Sequence, residues 1–262
     1  MINILKSDFY KLKKGKAFWI CIALCIAFAI FMVVAIQTGM NRAIANPTLD
    51  AENAQLIEMS KQASGVWALQ YFLPMGFNIV FIGIFVAIFV SSEFTFGTMK
   101  NTLSRGADRI KVFFSKFTVC SCAALVMLIA FILAILASGT ILWGFGTVTL
   151  SAMLNMVLLQ ALLIIAFTAL FVFISMTMRS NGGAIATNII CVTMASTLLG
   201  ALSMLFGGSI DLSQYWLSTS VSKLATLTPA SGDVVSGIII AICWAVGSIL
   251  IGTILFKKQD VK

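Results

Sequence analysis

The chain has 262 residues, of which 60% are hydrophobic and only 10% charged, and its mean hydropathy is +1.06. A soluble domain carries about 25% charged residues, so these values exclude water as the main solvent and predict an all-α, polytopic membrane protein. The net charge of +8 implies no nucleic-acid partner, because the basic residues cluster at the ends of apolar runs, where they set topology and meet membrane lipid.

In Met1 to Lys16, Ile2, Leu5, Phe9 and Leu12 recur at helical spacing while Lys6, Lys13 and Lys16 are placed to reach phosphate head groups. This pattern predicts an N-terminal interfacial amphipathic helix. The first apolar span follows, from Ala17 to Gln37. Its length exceeds the about 7–15 apolar residues of a signal peptide, which makes it a membrane helix rather than a cleaved leader. Cys21 and Cys25 share one face of it, and with no histidine in the chain they read as small packing residues, not metal ligands. Residues 38–70 carry Asp50, Glu52 and Glu58 and are expected to be partly helical outside the membrane.

The second span runs from Tyr71 to Ser91, and a long connection from Ser91 to Lys116 follows. Within that connection Phe96, Met99, Leu103, Ala107 and Ile110 recur every three or four residues, and Lys100, Arg105, Arg109 and Lys111 supply charge. The spacing predicts a cytoplasmic surface helix despite Gly97 and Gly106. Four further spans run approximately over Val112 to Ser138, Ala152 to Met178, Gly183 to Phe206, and Val234 to Phe256. The last places Ala241, Ala245, Ser248 and Gly252 on one face, a stripe of small residues that permits close helix approach. Residues 207–233, rich in Ser and Thr, either cap the bundle or dip back between helices.

The charge distribution supports this division into six spans. Fourteen of the 17 basic residues fall on the side of the termini, and only Arg42, Lys61 and Lys223 fall on the other. The positive-inside rule then places both termini in the cytoplasm of a cell (plasma) membrane protein. Tyr10 and Trp19 mark the inner interface, and Trp67, Tyr71, Trp143, Tyr215 and Trp216 the outer one, as expected for amphipathic rings. Trp244 alone lies near the middle of a span, where it packs on a neighbouring helix or lines a substrate path.

Catalytic chemistry finds no residues to use. The chain has no histidine, so Ser-His, Cys-His and zinc-helix motifs cannot be assembled, and Glu93, Asp211 and Asp233 fall at or outside the predicted span ends. An ion-coupled carrier would keep ionisable groups near mid-membrane, and none is predicted there. Asn78, Asn155, Gln160, Thr168, Asn188 and Thr193 are the strongest polar residues in or near the spans. Helix-to-helix hydrogen bonding is their ordinary role, and a substrate path through Asn78, Asn155, Gln160, Asn188 and Trp244 is the functional alternative.

At Glu93, Gly97 and Thr98, followed by Arg105, Arg109 and Lys116, the sequence resembles the permease subunits of type-2 ATP-binding-cassette (ABC) exporters, as do its basic opening and closing segments. The resemblance implies one transmembrane permease domain over residues 1–262, with six spans and a cytoplasmic coupling helix. Glu93, Gly97, Thr98, Met99, Leu103, Arg105 and Arg109 would form the element that meets an ATPase. No phosphate-binding loop occurs in the chain, since Gly15-Lys16 is followed by Ala17. The implied subunit is thus not an enzyme and binds no cofactor itself, with ATP and Mg on separate ABC ATPase subunits. It would pair with a second permease copy or a paralogue. The implied activity is outward movement of an amphipathic substrate, such as an antimicrobial peptide or drug. The alternatives are an ion-coupled secondary transporter and a non-transporting membrane anchor or sensor.

Overall fold

The computed structural model describes residues 2–45, 51–104, 106–205 and 211–258, and every regular element among them is helical. In chain order these are α1 (Ile2–Lys14), α2 (Lys16–Ala45), α3 (Ala51–Gln62), α4 (Gly65–Phe72) and, after a single turn at Leu73–Met75, α5 (Phe77–Thr95). There follow α6 (Thr98–Ser104), α7 (Arg109–Trp143), α8 (Leu150–Met178), α9 (Asn181–Thr193), α10 (Ala195–Leu205), a turn at Leu212–Tyr215, α11 (Leu217–Lys223) and α12 (Ser231–Lys258). Helices α2, α5, α7, α8 and α12 are each long and apolar enough to cross a bilayer. A helix satisfies its own backbone hydrogen bonds, which is what lets such runs sit in hydrocarbon. The chain is a multi-pass membrane protein.

The fifth predicted span, Gly183 to Phe206, is not one straight helix. It is divided into α9 and α10, bent by 58° at Met194, while Phe206 lies outside the described residues. The hydroxyl of Ser218 in α11 donates to the Val192 carbonyl at 3.3 Å, just before the bend. A side chain that takes a carbonyl from the helical ladder is a sufficient cause of such a kink. The second predicted span is likewise shorter than expected, because Tyr71 belongs to α4 and Gly76, at φ +70°, starts α5 afresh.

Helices α5, α7 and α8 form the centre. The buried face of α7 steps through Phe113, Lys116, Cys120, Ala123, Met127, Phe131 and Ile135 at three- and four-residue intervals, and α2 lays Cys21, Cys25, Ala29 and Val33 against it. The small side chains let these two helices approach closely. Helix α12 packs chiefly on α8, with Ala241 and Ser248 buried. Gly252 is so near Phe113 that a Cβ there would meet the ring at 2.8 Å. The small-residue stripe of α12 therefore faces partners in its own chain.

Residues 211–225 enter the bundle rather than cap it. Trp216, Leu217, Val221, Leu224 and Ala225 are buried, and Gln160 of α8 donates to the Val221 carbonyl at 3.0 Å. Trp244 of α12 packs partly buried against the core and meets this segment. Its ring is edge-on to Trp216 with centroids 4.8 Å apart, and its indole N–H donates to the Tyr215 carbonyl at 2.9 Å. Trp67 stacks on Tyr71 and meets Trp143 edge-on, and the Trp143 indole donates to Gln37, so an aromatic cluster joins α4 to α7 and a hydrogen bond ties α2 to it.

Helix α1 and the end of α12 gather at the opposite end of the bundle. Ser91 near the end of α5 donates to the Ser175 carbonyl near the end of α8. Arg109 at the start of α7 donates to the carbonyls of Phe256 and Lys257 at the end of α12, at 3.1 and 3.0 Å. A cation on the last carbonyls of a helix satisfies orphan acceptors and complements the helix dipole. Helix α1 packs against α7 at this same end, called here the terminal face.

Candidate functional site

The terminal face holds the connection between α5 and α7 and, behind it, a buried cluster of charge. The connection is not the continuous surface helix that the spacing of Phe96, Met99, Leu103, Ala107 and Ile110 predicts. Gly97 (φ +67°) and Gly106 (φ +82°) both adopt the left-handed conformation, which a residue with a Cβ reaches only at a cost of about 1–2 kcal/mol. They confine the helix to the seven residues of α6. Here two local backbone preferences override an apolar repeat.

Side chains divide accordingly. Met99 is fully buried, Leu103 and Ala107 pack partly against the core, and Phe96 is 76% exposed. The Thr98 hydroxyl donates to the Glu93 carbonyl at 3.3 Å, taking an acceptor at the end of α5. Asp108 caps α7, its carboxylate accepting from the Ile110 N–H at 3.1 Å. Arg109 is turned toward the end of α12, as described above, and Arg105 lies outside the described residues.

Glu93 points inward. One of its oxygens, Oε1, accepts from Lys116 Nζ of α7 at 2.5 Å and from Lys11 Nζ of α1 at 2.8 Å. The same Lys116 ammonium donates to Asp8 Oδ1 of α1 at 2.7 Å, and the second Asp8 oxygen accepts from the Ser115 hydroxyl at 2.8 Å. Lys116 also lies over the Phe89 ring, 5.0 Å from its centroid. Asp8 is 2% exposed, Lys116 1% and Glu93 8%, whereas the Lys11 side chain is 44% exposed. Two carboxylates and two ammonium groups thus form a balanced cluster that joins α1, α5 and α7. Buried ions persist only when paired and hydrogen-bonded, and each carboxylate here has at least one charged partner.

Asp8 and Lys116 were not among the expected site residues, and Glu93, which lies in the last turn of α5 as its place at the span end implies, has a buried side chain that the sequence does not reveal. Lys116 stands seven residues into α7, about 10 Å from its start. The sequence does carry signals for both. Lys116 is a single cation inside the predicted third span, and Asp8 lies three residues after Leu5 and four before Leu12, on the buried face of α1. The cluster forms one wall of a cavity of about 570 Å³, lined also by Asn3, Ser7, Thr102 and Val112, between α1 and the connection.

The expected path residues are distributed among separate contacts. Asn188 is buried and donates to the Gly83 carbonyl at 2.9 Å, joining α9 to α5. Gln160 and Trp244 donate to carbonyls of the re-entrant segment, and Asn78 is buried on α5. Asn155 is exposed on α8, facing away from that interior.

A family model described as ABC-2 family transporter protein matches residues 4–197, which include α1, the charge cluster, the connection and the first four membrane-crossing helices. No curated protein matches the chain. The matched region is well over half the sequence, and its multi-pass helical architecture is that of a membrane-embedded transport subunit: the chain belongs to the ABC-2 family of transporter permeases.

Proposed function

We propose that this chain is the non-catalytic permease half of an ATP-driven exporter, with six spans, both termini cytoplasmic and residence in the cell membrane. Bent pair α9 and α10 would be the sixth crossing, since α8 ends at the terminal face and α12 returns to it. ATP and Mg would be held by separate ABC ATPase subunits, and the permease would pair with a second copy or a paralogue. The cargo class that fits the apolar spans is an amphipathic molecule, such as an antimicrobial peptide or drug.

The observation that carries this reading is the mechanical continuity of the terminal face. The connection bearing Gly97, Thr98, Met99, Leu103, Arg105 and Arg109 reaches the core through buried Met99, and Glu93 beside it is ion-paired to α7 and α1. A load applied to α6 by an ATPase would reach α5 and α7 together. Such a device biases two conformations of the bundle by differential binding of a partner, with no chemistry in the permease itself.

Co-purification tests it. The tagged full chain, extracted in mild detergent from cells that produce the candidate ATPase, retains that subunit and supports ATP-dependent transport in vesicles. An ATPase that never co-purifies, together with transport indifferent to ATP, overturns the reading. The buried Asp8–Lys116–Glu93 cluster offers the ion-coupled alternative its one foothold, and transport that persists without any ATPase and follows an ion gradient is its signature.

A further inference from the structure

We propose that the groove between α1, the start of α2 and the middle of α7 binds one acyl chain of an anionic phospholipid, whose phosphodiester is held by Lys13. The cavity measures about 330 Å³ and is walled by Phe9, Leu12, Phe18, Cys122 and Val126, with Lys13 its one charged lining residue. Its floor is the outer side of α7, at Cys122, Ala123 and Val126, and its roof is the amphipathic helix. The Trp19 indole donates to the Lys13 carbonyl at 3.0 Å, which fixes the corner between α1 and α2.

The groove opens sideways toward the membrane. Phe9 is 38% exposed, Trp19 56% and Val126 49%, and these belong to the lipid-facing surfaces of their helices. An apolar slot under an interfacial helix suits an acyl chain entering from the bilayer. Charge selects the head group: Lys6, Lys14 and Lys16, close to Lys13 in the chain, are also exposed. The acid of α1, Asp8, is turned inward to Lys116 and Ser115. A long lysine can lay its stem on the apolar wall and raise its ammonium to phosphate. A second copy of the chain would instead bring the same lysines to the same place, like charge against like.

Full-length protein in phosphatidylcholine vesicles, doped with either phosphatidylglycerol or phosphatidylcholine carrying a photoreactive acyl chain, tests the assignment by mass spectrometry of labelled peptides. The expected result is about five-fold more labelling of the α1 and α7 groove peptides by the phosphatidylglycerol probe. Val126→Trp, a change at a half-exposed position that fills the slot, removes most of that label but leaves labelling of exposed α12 positions such as Ile239 and Val246 in place. Lys13→Glu, also at the surface, brings the ratio of the two probes to about one. Equal labelling by both probes, label that survives Val126→Trp, or a ratio unchanged in Lys13→Glu overturns the proposal and leaves only ordinary boundary lipid.

Discussion

Lys116 and Glu93, 23 residues apart in the chain and on different helices, meet at 2.5 Å inside the bundle, and the same ammonium reaches Asp8 at 2.7 Å. Removing one partner of a buried ion pair typically costs about 3–5 kcal/mol, because the other charge is left without compensation. Lys116→Met is therefore expected to destabilise the protein by about that amount in detergent unfolding, while Asp8→Asn/Glu93→Gln/Lys116→Met, which removes all three charges, recovers much of the loss. A single Lys116→Met variant as stable as the triple variant contradicts the cluster as described. The exposed Lys11 contributes far less, since water screens it.

Asp8 is the buried polar anchor of α1, through both of its oxygens. In Asp8→Ala, α1 is expected to lose its dock on α7 while the spans stay folded. Hydrogen exchange over residues 2–14 reads this directly, and should accelerate at least tenfold, the equivalent of about 1.4 kcal/mol. Unchanged protection of α1 would show that Leu5 and Leu12 suffice to hold it.

Gly97 has no atom within 4 Å of the place where a Cβ would stand, so only its backbone conformation opposes a side chain. Gly97→Leu is expected to cost about 1–2 kcal/mol and to impair ATP-dependent transport without impairing membrane insertion. Gly97→Asn, which tolerates the left-handed region, should retain most activity. Equal transport by Gly97→Leu and the parent protein would remove this turn from the coupling element.

Gly252 presents the contrary case, where space rather than conformation is limiting. Gly252→Ala places a methyl group against the Phe113 ring and is expected to cost about 1–3 kcal/mol by overpacking. Gly252→Ala/Phe113→Leu should restore part of the loss. Thermal unfolding of the two variants side by side makes the comparison.

Hydropathy located the bundle because about 20 uncharged apolar residues have few alternatives to a membrane helix. The same signal cannot see a kink made from outside the helix: the break at Met194 accompanies a hydroxyl from Ser218, 26 residues beyond the carbonyl it takes. Residues 211–225 presented Ser and Thr, the composition of an exposed loop, yet the hydroxyls of Ser218, Thr219 and Ser222 find backbone acceptors, and Trp216, Leu217 and Val221 among them are buried. In the α5–α7 connection Glu93, Gly97 and Thr98 were legible as a motif. The direction in which Glu93 points was not, because its partners lie on α1 and α7. Lys116 was counted by its charge, as one more basic residue on the terminal side, and the count says nothing of a lysine that faces inward.

The pairing of Asp8 with residues 107 and 108 positions later also bears on how the chain is assembled. Translation delivers Asp8 first, and its hydroxyl and ammonium partners emerge only after α2 through α6 have been made. During that interval the amino-terminal helix has no buried seat, so its lysines and apolar edge are free for the membrane surface. Docking of α1 must therefore wait for the third long helix, and it is open to the chain from then on, before α8 and α12 have been made.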